Sequence, residues 1–161
     1  MDEVSRIVKA AAEGPEAVRE ILPGLLGGDW PRCRREPGRE WQLHALHRAP
    51  ECSVVVAVFR GGARAPIHDH GAWAVIGIHR GRERETWFSR DADGGLREER
   101  SFENAAGQVS VVPDGVIHTV QALGEQDAVS VHVYGTDIVA QERHEYDPVS
   151  RRVSVYRPPF E

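Results

Sequence analysis

The chain has 161 residues, which is the size of one domain and enough to bury a hydrophobic core. Its 20 basic and 25 acidic residues give a formal net charge of -5, so the basic excess typical of proteins that bind nucleic acid or anionic membranes is missing. With two cysteines, no apolar run of about 20 residues and an acidic start without a signal-peptide core, we expect a cytoplasmic protein that contacts neither membrane nor nucleic acid.

Residues 2 to 26 are predicted to form two short helices. Apolar residues recur there at helical spacing on both sides of a Gly14-Pro15 break. These apolar positions are Val4, Ile7, Val8, Ala11 and Ala12, then Val18, Ile21 and Leu22. A loop rich in glycine, proline and arginine follows from Gly27 to Arg39.

From Trp41 onward the sequence is typical of an all-β domain, because short β-rich runs alternate with turn residues. The predicted strands are Cys52–Phe59, Ala74–His79, Arg84–Phe88, Leu96–Phe102, Gln108–Val112, His118–Leu123, Ala128–Tyr134 and Arg152–Tyr156. Asp93-Gly94-Gly95 has the composition of a hairpin turn. We therefore predict a single domain over 1–161, with a helical N-terminal cap and loop (1–38) before a β-barrel (39–161).

The segment Pro66-Ile67-His68-Asp69-His70 contains two histidines that are two residues apart. On a strand, residues i and i+2 point to the same side, so both imidazoles can face one barrel interior. A lone pair of this kind is equally compatible with a surface position. Further along the chain, Gly107, Pro113, Gly115 and His118 follow the pattern G-x5-P-x-G-x2-H, and Gly62 precedes His68 by six residues.

These two patterns together resemble the two motifs of the cupins, which implies a double-stranded β-helix, or jelly-roll, barrel. In that fold the second motif brings His118 to His68 and His70, and the three imidazoles are the predicted metal ligands. Imidazole ligands suit iron, zinc, copper or nickel, so ligand type does not choose among these metals. Many cupins add a glutamate ligand soon after the paired histidines, but no carboxylate follows His70 within five residues. Asp69 has the opposite strand parity and is expected to point away.

A second candidate set is Ser130, His132 and Tyr134, which alternate with valines and so share one strand face. One interpretation is a strand with a polar outer face. The other is that Val131 and Val133 pack against a second layer, which leaves the three polar side chains inside the barrel. A buried hydroxyl–imidazole–phenol chain would satisfy its own hydrogen bonds and hold the phenol in one orientation.

The two sets together resemble the thiol dioxygenases, a cupin family that includes cysteine dioxygenase and bacterial 3-mercaptopropionate dioxygenase. The resemblance extends from Trp41 to Tyr156 and is strongest at HDHGAWAVIG, the isolated His118 and SVHVY. It implies one Fe(II) per chain held by the three histidines, and a catalytic relay of Ser130, His132 and Tyr134. It also implies a reaction in which both atoms of O2 are added to a thiol sulfur to give a sulfinate.

Departures from the animal cysteine dioxygenases favour the 3-mercaptopropionate branch. The position of their cross-linked cysteine falls near Ala74-Val75, and the segment that supplies their carboxylate-binding arginine is here Trp41-Gln42-Leu43-His44. The resemblance makes Gln42, within one residue of alignment, a candidate for substrate binding. It also assigns carboxylate binding to Arg143, whose alternative is a surface ion pair with Glu142 or Glu145.

Several residues have weaker assignments. Trp73 is a candidate for the substrate pocket, although a core position is the commoner outcome for tryptophan. The remaining histidines are expected to be structural or exposed; they are His44, His47, His79 and His144. The arginine-rich runs 80–84 and 97–100 are interleaved with glutamate and are predicted to be solvated strand faces.

The function that these features favour is oxidation of a small thiol carboxylate by O2, with 3-mercaptopropionate as the first candidate. Cysteine is the second candidate substrate. Two alternatives lie outside this reaction: a zinc or nickel cupin with isomerase or hydrolytic activity, and a cupin that senses a ligand without turning it over.

Overall fold

The computed structural model describes residues 1–161. Its strands form two larger antiparallel sheets, which enclose one interior, and a small two-stranded sheet. The helices are α1 (Glu3–Ala11) and α2 (Pro15–Leu25). The strands are β1 (Trp41–Ala49), β2 (Cys52–Phe59), β3 (Ala74–Arg80), β4 (Arg82–Arg90), β5 (Leu96–Ala105), β6 (Val109–Val112), β7 (Ile117–Ala122), β8 (Ala128–Tyr134), β9 (His144–Tyr146) and β10 (Val153–Val155). Neither helix has the length and apolarity that a membrane crossing needs.

The strand order is that of a jelly roll, in which strands far apart in sequence become neighbours. The larger sheet runs β1-β2-β8-β3-β6, the smaller sheet runs β5-β4-β7, and β9 pairs with β10. Residues of both sheets share one buried cluster, which includes Val55 and Ala57 of the larger sheet and Val120 and Ala122 of the smaller. This confirms the predicted all-β barrel with a short helical N-terminal segment.

A second buried cluster lies between the two helices and the outer face of the larger sheet. Ile7 and Leu22 pack there against alternate valines of β2 and β8, such as Val56 and Val131. At Gly77 an added Cβ would come within 2.8 Å of Leu26, so glycine allows α2 to approach the sheet this closely. Because the outward positions of β8 are occupied by valines, the intervening residues of β8 point into the barrel.

Strand β1 was not predicted, because polar side chains alternate with its apolar ones, although Gln42, Leu43 and His44 are buried. Trp41 and Leu43 face the barrel, whereas Gln42 and His44 face the loop that follows the helices. The backbone N–H of Glu36 donates to Gln42 Oε1 at 2.7 Å, and a ring nitrogen of His44 lies 2.7 Å from the Arg34 carbonyl oxygen. The loop therefore satisfies polar groups that alternation alone would place in solvent.

Candidate metal centre

Three buried imidazoles converge at one end of the barrel. His68 lies on the segment between β2 and β3, and its backbone exchanges two hydrogen bonds of 2.9 Å with His118 of β7. His70 lies two residues further on and points to the same side. The candidate ligand atoms of the three residues lie within 4.8 Å of one another, so the three form a cluster that could hold a metal ion. Gly115, with φ +86°, makes the turn that leads into β7 and brings His118 into register.

Hydrogen bonds orient two of the rings so that their Nε2 atoms face the cluster. Nδ1 of His68 donates to the Pro66 carbonyl oxygen at 2.7 Å, and Nδ1 of His118 donates to Glu85 Oε2 at 3.2 Å. Each imidazole then keeps its Nε2 lone pair free for a metal. Nε2 of His118 lies 3.0 Å from Nε2 of His70, so these two ring nitrogens converge on one point, where a metal ion could bind both.

The electrostatic surroundings keep His68 and His70 neutral. Burial lowers the pKa of His68 well below its usual value, and the neighbouring His118 lowers it further. The same two causes act on the pKa of His70. Neutral imidazole is the form that binds metal. Three nitrogen donors without a carboxylate fit iron, zinc, copper or nickel and leave coordination positions for exogenous ligands.

Asp69 does not belong to the metal cluster; its side chain holds the segment 144–146 in place. Its side chain accepts hydrogen bonds from the His144 backbone N–H and the Tyr146 hydroxyl, both at 2.8 Å. This pairing holds the beginning of β9 against the metal cluster. It thereby sets the position of Arg143, the residue immediately before β9.

Ser130, His132 and Tyr134 form a continuous hydrogen-bonded chain inside the barrel. The Ser130 hydroxyl lies 2.9 Å from His132 Nε2, and His132 Nδ1 lies 3.0 Å from the Tyr134 hydroxyl. Burial lowers the pKa of His132 to about 3 and raises the pKa of Tyr134, so at neutral pH the imidazole is uncharged and the phenol protonated. The Tyr134 ring packs edge-on to His70, with ring centroids 5.1 Å apart, so the chain ends beside the metal cluster.

Arg143 is buried beside this chain and makes no ion pair. Only 2% of its surface is exposed, and its Nη2 has no hydrogen-bond partner. Its guanidinium lies 5.0 Å from the centroid of the Tyr156 ring, and that ring packs against His68 at 4.7 Å. A surface ion pair with Glu142 or Glu145 is therefore excluded, and an unpaired buried cation faces the site.

These groups surround a small cavity of about 20 Å³. Its polar lining consists of His68, His118, His132, Tyr134, Arg143 and Tyr156. Its apolar lining consists of Trp41, Leu43, Phe59, Ala65 and Val120. No carboxylate lines it. The cavity thus places a cation and a phenol next to three metal-binding nitrogens within apolar walls.

Two predicted site residues are not brought to this cavity. Gln42 is buried on the opposite face of β1, where it accepts the Glu36 N–H, and the neighbouring Leu43 takes the inward position. Trp73 packs against the cluster between the helices and the larger sheet, and its backbone carbonyl accepts the Gly135 N–H at 3.1 Å. In both cases the alternation of side chains along the extended chain directs this side chain away from the metal cluster.

The match to a known family covers most of this barrel. The model of the family described as Cupin matches residues 39–145, which include all three histidines. The chain belongs to the cupin family. The expectation of a cupin barrel is thereby confirmed, while the narrower resemblance to thiol dioxygenases stays a prediction.

Solved cupin structures share this fold at low sequence identity. The cupin domain of Schizosaccharomyces pombe Cnp3 is 17% identical with a TM-score of 0.52, covering 62% of this chain and 66% of that chain. Oxalate oxidase in complex with the substrate analogue glycolate is 18% identical with a TM-score of 0.52, covering 63% of this chain and 54% of that chain. Each match leaves at least a third of the other protein uncovered.

Sequence analysis missed two buried glutamates close to the candidate site. Glu83 and Glu85 of β4 are buried in the barrel, so the prediction that run 80–84 is a solvated face is wrong for Glu83. The exposed face of β4 carries Arg82 and Arg84, which alternate with the two glutamates. The strict alternation of arginine and glutamate could have predicted this arrangement, because residues two apart on a strand share a face, so all the glutamates lie on one face and all the arginines on the other.

Glu85 orients His118 and is expected to strengthen metal binding. Burial by itself would raise the pKa of Glu85, but His118, Ser110 and Trp87 hydrogen-bond to it and lower the pKa below its usual value. It is therefore a carboxylate that fixes the tautomer of a ligand. We expect Glu85→Gln to lower metal affinity roughly 10- to 100-fold, as loss of such partners does in other sites. Competition with a metal chelator measures it.

A matched control for that variant is Glu103→Gln, which removes an exposed carboxylate of β5 that pairs with Arg84. Its metal affinity should equal that of the wild type. Thermal unfolding of both metal-free variants reports any general damage to the barrel. Unchanged metal affinity in Glu85→Gln would show that the Glu85–His118 contact does not tune the site.

Proposed function

We propose that this cupin is an iron(II)-dependent thiol dioxygenase that converts a short thiol carboxylate, 3-mercaptopropionate first, and O2 into the sulfinate. The observation that carries the proposal is the shared cavity. It is bordered by two of the metal-cluster histidines, by two members of the hydrogen-bonded chain and by Arg143; these residues are His68, His118, His132, Tyr134 and Arg143. The overall reaction is balanced, because R–SH and O2 together give R–SO2H without a further reductant.

When bound, iron(II) supplies the centre at which a thiolate and O2 can meet and exchange electrons. The chain itself binds and orients the substrate. The guanidinium of Arg143 can hold the carboxylate through charge-assisted hydrogen bonds, which its unpaired Nη2 supports. Fixing the far end of a short thiol in this way places its sulfur toward the histidines and turns a random encounter into an oriented one.

Tyr134 is suited to donate a hydrogen bond to the oxygen atoms that react. Its phenol is protonated, sits beside His70 and is held by His132. A donor fixed in place before the reaction stabilises developing negative charge better than a mobile one. The apolar walls, formed by residues such as Leu43 and Phe59, exclude water and strengthen this interaction.

The cavity lining favours a substrate without an ammonium group. Its one permanent charge is the cation of Arg143, and no carboxylate is present to compensate the ammonium of cysteine. On this basis 3-mercaptopropionate ranks above cysteine. Leu43, rather than the candidate Gln42, is the residue of β1 that lines the cavity at this place.

The proposal is tested by metal analysis of the purified protein followed by O2-uptake measurements with 3-mercaptopropionate, cysteine and oxalate. We expect about one iron per chain, O2 consumption with the thiols, a sulfinate product by mass spectrometry, and a higher kcat/KM for 3-mercaptopropionate. Equal efficiency with cysteine would overturn the substrate ranking. Turnover of oxalate alone, activity that needs zinc or nickel but no O2, or binding of the thiol without turnover would overturn the dioxygenase proposal.

A further inference from the structure

A buried carboxyl group lies near the Ser130 end of the hydrogen-bonded chain. Glu83, on the inward face of β4, is only 3% exposed, and its Oε1 has no hydrogen-bond partner. Glu83 and Ser130 each lie two residues beyond the point where Gly81 approaches Ala128, and a Cβ added at Gly81 would lie 3.0 Å from the Ala128 Cα. Hydrogen bonding by Ser130 lowers the pKa of Glu83, and the negative charge of Glu83 raises the pKa of Tyr134. A buried carboxyl with a free oxygen is costly to retain, so its position at the end of this chain calls for a physical explanation.

The surroundings of Glu83 favour its protonated form. Burial raises the pKa of Glu83 to about 7, the nearby Ser130 hydroxyl opposes this rise, and the negative charge of Glu85 adds to it. The residues paired with Glu83 on the neighbouring strands are Asn104 of β5 and Ala122 of β7, and neither carries a charge. Glu83 can therefore change between acid and carboxylate close to neutral pH.

Each member of the chain can donate or accept a hydrogen bond, so the chain has two possible directions. We propose that Glu83 is a positioning residue whose protonation sets the direction of the hydrogen bonds from Ser130 to Tyr134, and thus whether the Tyr134 hydroxyl donates into the cavity. This inference rests on the proposed function for its effect on turnover. The contacts of Ser130 with His132 and of His132 with Tyr134, at 2.9 and 3.0 Å, provide the connection.

With Glu83 protonated, its O–H donates to Ser130 Oγ, and the Ser130 hydroxyl donates to His132 Nε2. Nδ1–H of the neutral imidazole then donates to the Tyr134 oxygen, which leaves the phenol proton free to point at the substrate. With Glu83 ionised, every donor reverses. Ser130 donates to the carboxylate, Nε2–H of His132 donates to Ser130, and Tyr134 donates to Nδ1 instead of to the cavity.

The first test compares the pH dependence of kcat/KM in the wild type and in Glu83→Gln. The glutamine amide does not ionise, so the direction of the hydrogen bonds in the variant should not change with pH. Because ionisation of the thiol substrate affects both proteins equally, it cancels in their ratio. We expect the ratio of the wild-type kcat/KM to the kcat/KM of Glu83→Gln to fall about tenfold per pH unit above pH 7, because only the protonated form of Glu83 favours the active direction. A ratio that is constant with pH would overturn the inference.

The second test needs no activity and uses infrared difference spectra of the metal-free proteins. The wild type should show a protonated-carboxyl band that is lost as pH rises through 7 and is absent from Glu83→Gln. The tyrosine band of the wild type should shift over the same pH range, and Tyr134→Phe identifies that band. Glu98→Gln, an exposed glutamate of β5, should behave as the wild type does.

The two tests separate failure of this inference from failure of the proposed function. If the wild type takes up no O2 with any thiol, but the carboxyl and tyrosine bands titrate together, the dioxygenase proposal fails and the role of Glu83 stands. If thiol oxidation is found and no carboxyl band titrates, the role of Glu83 fails and the dioxygenase proposal stands. If the carboxyl band titrates while the tyrosine band does not move, Glu83 does not direct the chain.

Discussion

Replacing His70 with alanine is expected to abolish metal binding and, with it, O2 uptake. The reason is that two remaining imidazoles cannot provide the three nitrogen donors that the cluster brings within 4.8 Å. Loss of a ligand should cost more than the roughly 100-fold in affinity that loss of an orienting partner can cost. Metal content after desalting should therefore fall from one ion per chain to below about a tenth of that value.

His70 is the most informative of the three ligands to replace. His68 and His118 also hydrogen-bond to Pro66 and Glu85, so their removal would leave buried partners unsatisfied. Nδ1 of His70 has no partner, and its loss should disturb the fold least. His79→Ala removes an imidazole that bonds instead to the Leu26 carbonyl, and it should retain full metal content. Stoichiometric metal in folded His70→Ala would disprove the assignment of the site.

The Arg143→Gln variant is expected to lose about 100-fold in kcat/KM for 3-mercaptopropionate. A buried charge-assisted contact to a carboxylate contributes about 3 kcal/mol, and this energy corresponds to that factor. The loss should depend on the substrate, because a thiol such as ethanethiol has no carboxylate to bind. For ethanethiol the same variant should retain kcat/KM within a few-fold of the wild type, so the comparison isolates the contact.

The matched control is Arg157→Gln, an exposed arginine of the same C-terminal segment. It should leave both substrates unaffected. Since Arg143 also packs on Tyr156, a structural role would lower activity with both thiols to the same extent. Equal losses with 3-mercaptopropionate and ethanethiol would therefore argue against carboxylate binding by Arg143.

Local periodicity was sufficient to predict much of the barrel and the metal cluster. Strands β2 and β8 have the predicted bounds, since their valine-rich runs are clearly limited by turns. In an extended segment, the two-residue spacing of His68 and His70 directs both side chains to the same side. For the same reason Ser130 and Tyr134 had to share one face of a strand.

Periodicity did not decide which face of a strand is inside. Arg82 and Glu83 alternate as charged residues, and the smaller sheet places the glutamate in the barrel and the arginine in solvent. Gln42 and Leu43 alternate in the same manner, and the N-terminal loop covers the polar member. In both cases the answer depends on contacts with residues distant in sequence, which local patterns do not contain.

The amino-acid sequence by itself determined that the chain forms an all-β domain. It also determined that the histidines of residues 68–70 share one side of the chain and that the polar residues of 130–134 share one strand face, because strand alternation and turn composition are local properties. Only the tertiary structure decided that the two sets meet at one cavity and that Glu83 and Glu85 are buried in the barrel. It also decided that Arg143 is buried at this cavity with no hydrogen-bond partner for its Nη2. The physical reason is that burial and unpaired charge arise from packing between strands and segments far apart in the chain, such as β4 against β7 and Asp69 against His144.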